Sequence, residues 1–128
     1  TEFYKNCDLL VPNEHEAYAL TGIYPSDAES AKAALDALLG MGVRRAIITL
    51  GERGSVYSDG EVFFECPAIK TRAVDTTSAG DSFIGALCVR LAAGERVEDA
   101  IRYATKVSAI TVSRSGASDS IPFANEII

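Results

Sequence analysis

In residues 74–87 a polar loop leads directly into an amphipathic helix. This junction limits the possible fold and function of the chain more than any other segment does. Small or polar side chains come first, and then Phe83, Leu87 and Leu91 repeat at helical spacing. The first turn of such a helix has backbone N–H groups without partners and is the positive end of the helix dipole. Small residues there let an anion approach the backbone, as in phosphate sites. The alternative is that Ser78 and its polar neighbours serve only as helix caps.

Three motifs resemble those of the ribokinase-like sugar kinases, the phosphofructokinase-B family. Residues 75–83, Asp-Thr-Thr-Ser-Ala-Gly-Asp-Ser-Phe, resemble the family signature Asp-Thr-Thr-Gly-Ala-Gly-Asp-x-Phe, with Ser78 in place of a glycine. Residues 10–16 resemble its Pro-Asn-Glu-x-Glu stretch, which contains an Asn-x-x-Glu motif. Residues 48–54 resemble its Thr-Leu-Gly-x-x-Gly nucleotide loop, and the tail, residues 112–122, is similar to that of ribokinases in particular.

The resemblance implies a layered α/β/α fold with a partly parallel sheet. Family members also carry an N-terminal half with a Gly-Gly sugar-binding motif and a small β lid, and neither is visible here. We therefore interpret residues 1–128 as a single domain, the C-terminal, nucleotide-binding half of a sugar kinase.

The order of predicted elements independently indicates an α/β fold with a partly parallel sheet. Apolar patterning, Gly and Pro predict strands over 9–11 and 45–50 and helices over 14–20, 28–39, 79–92 and 97–112. A hairpin is predicted over 54–58 and 61–66, turning through Asp59-Gly60.

Two motifs follow predicted strands directly. Asn13 follows the first strand, and Thr49, Gly51 and Gly54 follow the second. Ligands of open α/β sheets gather at the carboxyl ends of strands, so this position favours a nucleotide site. The alternative is that the two glycines serve only a hairpin turn.

The family resemblance implies roles for the loop–helix junction. Asp81 would be the catalytic base that takes the proton of a sugar hydroxyl, and the backbone N–H groups of Ser78, Ala79, Gly80 and Asp81 would form an anion hole for the transferred phosphoryl group. Asn13 and Glu16 would organise Mg²⁺ and its waters against the phosphates of ATP. By spacing alone, a solvated helix carboxylate is the favoured interpretation of Glu16.

The resemblance also implies contacts along the nucleotide and a monovalent cation. Thr49, Gly51 and Gly54 would lie along ATP, and Thr105 falls where the family often has Asn or His near the adenine. An ordinary helix residue is the alternative for Thr105. A K⁺ ion would be held, mostly by backbone carbonyls, at Asp75, Thr77, Thr111, Arg114, Gly116 and Ser120; a terminal loop ended by Pro122 is the alternative there.

Composition limits the partners and the compartment. The 128 residues carry a net charge of −6, which argues against a nucleic-acid or membrane surface. Cys7, Cys66 and Cys88 have no metal-binding spacing, so we expect buried thiols of a reducing compartment. No apolar run approaches membrane-spanning length and no signal peptide is seen, which predicts a cytoplasmic location.

Two functions of different classes remain open from the sequence. The first is an ATP-dependent sugar kinase, with ribose or a related furanose as the favoured acceptor. The second is a non-catalytic nucleotide- or phosphate-binding α/β fragment, inactive without the sugar-binding half. In either case the edge where that half would pack favours self-association into a homo-oligomer.

Overall fold

The computed structural model describes residues 7–69 and 79–112, and within these ranges it describes every side chain except those of residues 79–81, 111 and 112. The chain divides into two compact units, Thr1–Pro67 and Ala68–Ile128. The first unit holds the sheet and two helices, and the second holds two further helices.

Four strands of the first unit form one mixed sheet in the order β1-β2-β3-β4. The strands are β1 (Leu9–Leu10), β2 (Arg45–Thr49), β3 (Ser55–Ser58) and β4 (Phe63–Cys66). The pair β1–β2 is parallel, whereas β2–β3 and β3–β4 are antiparallel. The predicted α/β class and partly parallel sheet are therefore confirmed.

Two capped helices connect β1 to β2: α1 (Glu14–Thr21) and α2 (Ala28–Gly40). Helix α1 ends at Gly22, which adopts the left-handed conformation (φ 76°) that glycine tolerates best. Asp27 caps α2 by accepting from the Ser30 backbone N–H at 2.8 Å. That bond, followed by the bond from the Ser30 hydroxyl, holds the pKa of the Asp27 carboxyl below its usual value.

The core of the first unit lies between α2 and the sheet. Leu35 and Leu38 of α2 are fully buried, and Ala46, Ile48 and Val56 of β2 and β3 belong to the same cluster. The helical residues recur at the i, i+3, i+4 spacing that the sequence shows, and the β2 residues alternate along the strand. This packing fixes α2 against the sheet, with the start of α2 near the carboxyl end of β2.

The second unit consists of α3 (Ala79–Ala92) and α4 (Val97–Val112), which pack against each other. Both helices have the bounds predicted from the sequence. Phe83 and Leu87 are buried, as their spacing predicted. The Arg90 guanidinium lies 3.8 Å above the centre of the Tyr103 ring, a cation–π contact between the two helices.

Two expectations about local structure were wrong. The hairpin turns through four residues, Asp59 to Val62, because Ser58 pairs with Phe63 and the Asp59 carboxylate accepts from the N–H groups of Glu61 and Val62 at 2.9 and 2.8 Å. The thiols are also not uniformly buried. Cys66 is buried, Cys7 is half-buried and Cys88 is exposed, because α3 turns that side chain away from its packed face.

Candidate functional site

The carboxyl ends of β1 and β2 bring two predicted site residues together. The parallel register pairs Leu10 with Ala46, and an isolated parallel bridge extends it to Asn13 and Thr49. The Thr49 N–H donates to the carbonyl of Pro12 at 3.0 Å. Asn13 and Thr49 therefore lie side by side at one edge of the sheet, as the strand-end rule predicts.

The Asn-x-x-Glu motif forms a capping box at the start of α1. The Glu16 N–H donates to Asn13 Oδ1 at 2.8 Å, and the Asn13 N–H donates to Glu16 Oε1 at 2.9 Å. The pair thus has a structural role in beginning the helix. The cap occupies one oxygen of each side chain, so the Asn13 amide nitrogen and the second Glu16 carboxylate oxygen are not part of it. Both residues are exposed, where these atoms can meet a ligand.

The glycine-flanked loop follows β2 and leads into β3. A 3₁₀ turn spans Gly51–Arg53, and the Leu50 N–H donates to the Gly54 carbonyl at 2.8 Å across the base of the loop. Gly51 has φ 59°, and Gly54 has φ 90° with ψ −132°, a region that residues with a Cβ strongly disfavour. The glycines therefore do serve the connection between two antiparallel strands. Gly51 is exposed, and a Cβ there would meet nothing closer than a Glu14 carboxylate oxygen at 4.0 Å, so its backbone is open at the same end of the sheet as Asn13 and Thr49.

Arg53 connects this loop to the start of α1, a link that sequence reasoning missed. Its guanidinium donates to the carbonyls of Ser26 and Pro25 at 2.8 and 2.6 Å and to Glu14 Oε2 at 3.2 Å. The only available signal was an Arg between two glycines and a Glu next to Asn13. Neither pattern reveals a contact between residues 39 positions apart.

A pocket of about 440 Å³ opens beside the loop, between the start of α2 and the ends of β3 and β4. Arg53, Asp27 and Glu65 contribute charged groups to its lining. Ser55 also lines it, and its hydroxyl is buried without a hydrogen-bond partner among the described residues. The pocket lies wholly in the first unit.

The structure describes only the backbone of the predicted anion hole, and only in part. Ala79, Gly80 and Asp81 form the first turn of α3, as predicted. Ser78 lies outside the described residues. The amides of a first helical turn lack intrahelical acceptors, which is the property that an anion hole needs.

Thr105 is a buried residue of α4 whose hydroxyl donates to the Ile101 carbonyl at 2.7 Å. This bond to the preceding turn is typical of an ordinary helix residue, the alternative that the sequence left open for Thr105. Its proximity to an adenine stays a prediction.

The predicted K⁺ site falls mostly outside the described residues. Asp75, Thr77, Arg114, Gly116 and Ser120 all lie there. Thr111 belongs to α4, but its side chain is not described. The cation site therefore stays a prediction from the sequence.

The described ranges, 7–69 and 79–112, contain neither a metal-binding cluster nor a membrane-spanning helix. Within them, no three His, Cys, Asp or Glu side chains cluster in a way that could hold a metal ion. None of the helices described there is both long and apolar enough to cross a bilayer.

A mixed α/β sheet with polar residues and a glycine loop at its strand ends belongs to the class of α/β folds whose ligands bind at the carboxyl ends of the strands. Comparison with known proteins narrows this class. The profile of the pfkB family carbohydrate kinases matches residues 1–124, and the chain belongs to that family.

Among curated relatives, a ribokinase of Schizosaccharomyces pombe is 48% identical over 126 residues, and one of Staphylococcus aureus is 39% identical over 121. Each match covers 94% of this chain but only 39% and 40% of the relative. The chain thus spans about two fifths of the length of these relatives.

Solved structures agree with this assignment. A ribokinase of Arabidopsis thaliana, complexed with ribose and ATP, superposes with a TM-score of 0.93 at 31% identity, covering 98% of this chain and 41% of the other. A ribokinase of Thermotoga maritima gives a TM-score of 0.87 at 37% identity, covering 98% and 42%. The ribokinase fold expected from the sequence is confirmed.

Proposed function

We propose that this chain supplies the ATP-binding and catalytic part of a kinase that phosphorylates a sugar hydroxyl, with ribose as the favoured acceptor. The observation that carries the proposal is the position of Asn13 beside Thr49 at one sheet edge, next to the Gly51–Gly54 loop. Similarity to ribokinases, one of them complexed with ribose and ATP, supports both the nucleotide and the sugar.

In the proposed reaction, the sugar hydroxyl oxygen attacks the γ-phosphorus of ATP, the bond to the bridging oxygen breaks, and ADP leaves. Asp81, in the first turn of α3, accepts the hydroxyl proton. A helix start stabilises an ionised carboxylate, so Asp81 is a weak base. That suffices for a loose phosphoryl-transfer transition state, in which positioning outweighs proton removal. The backbone N–H groups of residues 78–81 stabilise the charge on the transferred group.

Asn13 and Glu16 fit a role beside Mg²⁺. Mg²⁺ prefers oxygen ligands and keeps several waters, and the second carboxylate oxygen of Glu16 lies outside the capping box on an exposed surface. When bound, the ion neutralises charge on the phosphates. The Asn13 amide nitrogen can donate to a phosphate oxygen, while the open backbone at Gly51 borders the nucleotide together with Gly54 and Thr49.

The proposal is tested with the full-length kinase, meaning this chain joined to the sugar-binding half that its relatives possess. ADP release is measured by a coupled assay with ribose, deoxyribose and fructose, and with no sugar. We expect sugar-dependent turnover, fastest with ribose. Arg45→Ala, which breaks an ion pair with Asp8 at the far end of β2, is the control and should leave turnover unchanged. ADP release that does not depend on sugar would contradict the proposal.

We also expect K⁺ to raise the rate of the full-length kinase several-fold more than Na⁺ does. The family resemblance implies K⁺ there, and the predicted ligands around Asp75 and Thr111 are oxygens, which suit a hard cation. Rates are compared in KCl, NaCl and tetramethylammonium chloride at equal ionic strength. Equal rates in all three salts would argue against a monovalent-cation site.

A further inference from the structure

The backbone bonds of the Gly51–Gly54 loop are local to the loop and do not anchor it to the neighbouring helices. Two of its residues are glycines with positive φ, and glycine has more conformational freedom to lose than any other residue. The Leu50 N–H donates to the Gly54 carbonyl at 2.8 Å across the base of the loop. The two bonds within the turn, from the Arg53 N–H to the Leu50 carbonyl and from the Gly54 N–H to the Gly51 carbonyl, measure 3.2 and 3.1 Å, at the upper end of the usual range. All three bonds join residues 50–54 to one another, so contacts from outside the loop must fix its position relative to α1 and α2.

The Arg53 side chain supplies those contacts. One guanidinium nitrogen donates to the Ser26 carbonyl, and the other donates to the Pro25 carbonyl and to Glu14. Pro25 is fully buried, so its carbonyl is a rigid anchor at the junction of α1 and α2. A guanidinium presents its N–H donors in a rigid planar fork, whereas the three N–H donors of an ammonium group rotate on a flexible stem.

The Arg53–Glu14 contact also sets the spacing between the two predicted nucleotide-binding motifs. Glu14 is the residue after Asn13, in the first turn of α1. Its other carboxylate oxygen lies 4.0 Å from the position that a Cβ on Gly51 would take. Glu14 therefore borders the loop both at Gly51 and through Arg53, so a shift of the loop would change its distance from Asn13.

The ion pair alone is a weak restraint. The Arg53 side chain is 42% exposed and that of Glu14 is 24% exposed, and exposed ion pairs contribute little to stability. The two carbonyl bonds are stronger evidence of positioning, because they tie the side chain to backbone that α1 and α2 hold in place.

We propose that Arg53 is a positioning residue that holds the Gly51–Gly54 loop at a fixed distance from Asn13 and thereby sets the affinity for ATP. This inference rests on the proposed function. Arg53 acts through the loop backbone and needs no contact of its own with the nucleotide.

The test compares wild type, Arg53→Ala and Arg53→Lys, with Arg45→Ala as the control. Arg45 is matched to Arg53, since it also forms a partly exposed ion pair with a carboxylate, at 2.7 Å, but at the opposite end of β2. Steady-state kinetics of the full-length kinase give KM for ATP, KM for the sugar and kcat. Hydrogen exchange of the 128-residue chain reports on the Leu50 and Gly54 amides.

In Arg53→Ala, we expect KM for ATP to rise about tenfold or more, because bonds from a charged donor are lost. The sugar KM should stay constant and kcat should change by less than about threefold, which is the pattern of lost ground-state binding. The Leu50 and Gly54 amides should exchange faster. Arg53→Lys should recover part of the ATP affinity, and Arg45→Ala should match wild type in every readout.

Three results would overturn the inference: unchanged ATP KM in Arg53→Ala, unchanged amide exchange in the loop, or equal effects on ATP and sugar KM. A wild-type protein that binds no ATP would instead refute the proposed function. Hydrogen exchange of the loop amides in the 128-residue chain would still show whether Arg53 holds the loop. Failure of this inference is therefore distinguishable from failure of the proposed function.

Discussion

Asp81→Asn is expected to lower kcat of the full-length kinase by about 10²–10⁴-fold, the usual contribution of a general base. Asn has nearly the same shape as Asp but cannot accept the proton of the sugar hydroxyl. Asp81 lies in the first turn of α3, where the backbone amides of its neighbours remain able to bind phosphate. Affinity for ATP should therefore be retained.

Two measurements check this prediction. A coupled assay gives kcat, and calorimetry with a non-hydrolysable ATP analogue gives the dissociation constant. Asp36→Asn is the matched control, because Asp36 is an exposed carboxylate on α2 that lies outside the candidate site. A kcat in Asp81→Asn close to that of wild type would remove Asp81 from the role of base. If both kcat and the affinity for ATP were lost in Asp81→Asn, Asp81 would have a structural role instead.

The 128-residue chain on its own is expected to bind nucleotide weakly and to phosphorylate no sugar at a measurable rate. The nucleotide contacts proposed for the first unit come from Asn13 and from the backbone of residues 49–54, which the fold of that unit positions. Catalysis needs the acceptor hydroxyl held in line with the γ-phosphoryl group. Such orientation is worth about 7–11 kcal/mol of barrier lowering.

We expect no sugar phosphorylation because the chain matches only part of the length of its relatives. It spans only 39% of the Schizosaccharomyces pombe ribokinase, and the family resemblance places the sugar-binding motif and the lid in the remainder. Without a lid, water would enter the site, weaken its electrostatics and hydrolyse ATP. The chain would then act as a nucleotide-binding module.

Calorimetry with an ATP analogue and a coupled kinase assay on the same preparation test both parts of this expectation. The full-length kinase at equal concentration is the positive control. Analytical ultracentrifugation shows whether the chain self-associates. Robust sugar phosphorylation by the 128 residues would prove the fragment interpretation wrong, and absence of any nucleotide binding would remove the second candidate function.

Local patterns predicted most elements, because their causes lie within a few residues. The bounds of α3 and α4 follow from apolar spacing and flanking glycines, and both match the structure. The capping box of Asn13 and Glu16 was not predicted, although its cause is equally local. The hairpin loop was predicted too short because its length is set by the pairing of Ser58 with Phe63, across two strands.

The candidate site also has some features with local causes and others that depend on residues distant in the sequence. Placement of Asn13 and Thr49 at one edge could be predicted, because parallel strands must end together. The contacts of Arg53 could not, since its acceptors lie 27, 28 and 39 positions away. Nothing in the loop sequence indicates which carbonyls a long side chain will meet.

By itself, then, the sequence determined the family and the order of helices and strands, and it predicted the residues that are proposed to carry the chemistry. These depend on short motifs and on periodicity, which act within a single turn or strand. Only the tertiary structure decided that Arg53 joins the glycine loop to Glu14 and Pro25, and that Cys88 is exposed. Such features arise because packing brings distant segments together, and a contact between them is fixed by the geometry of the whole unit.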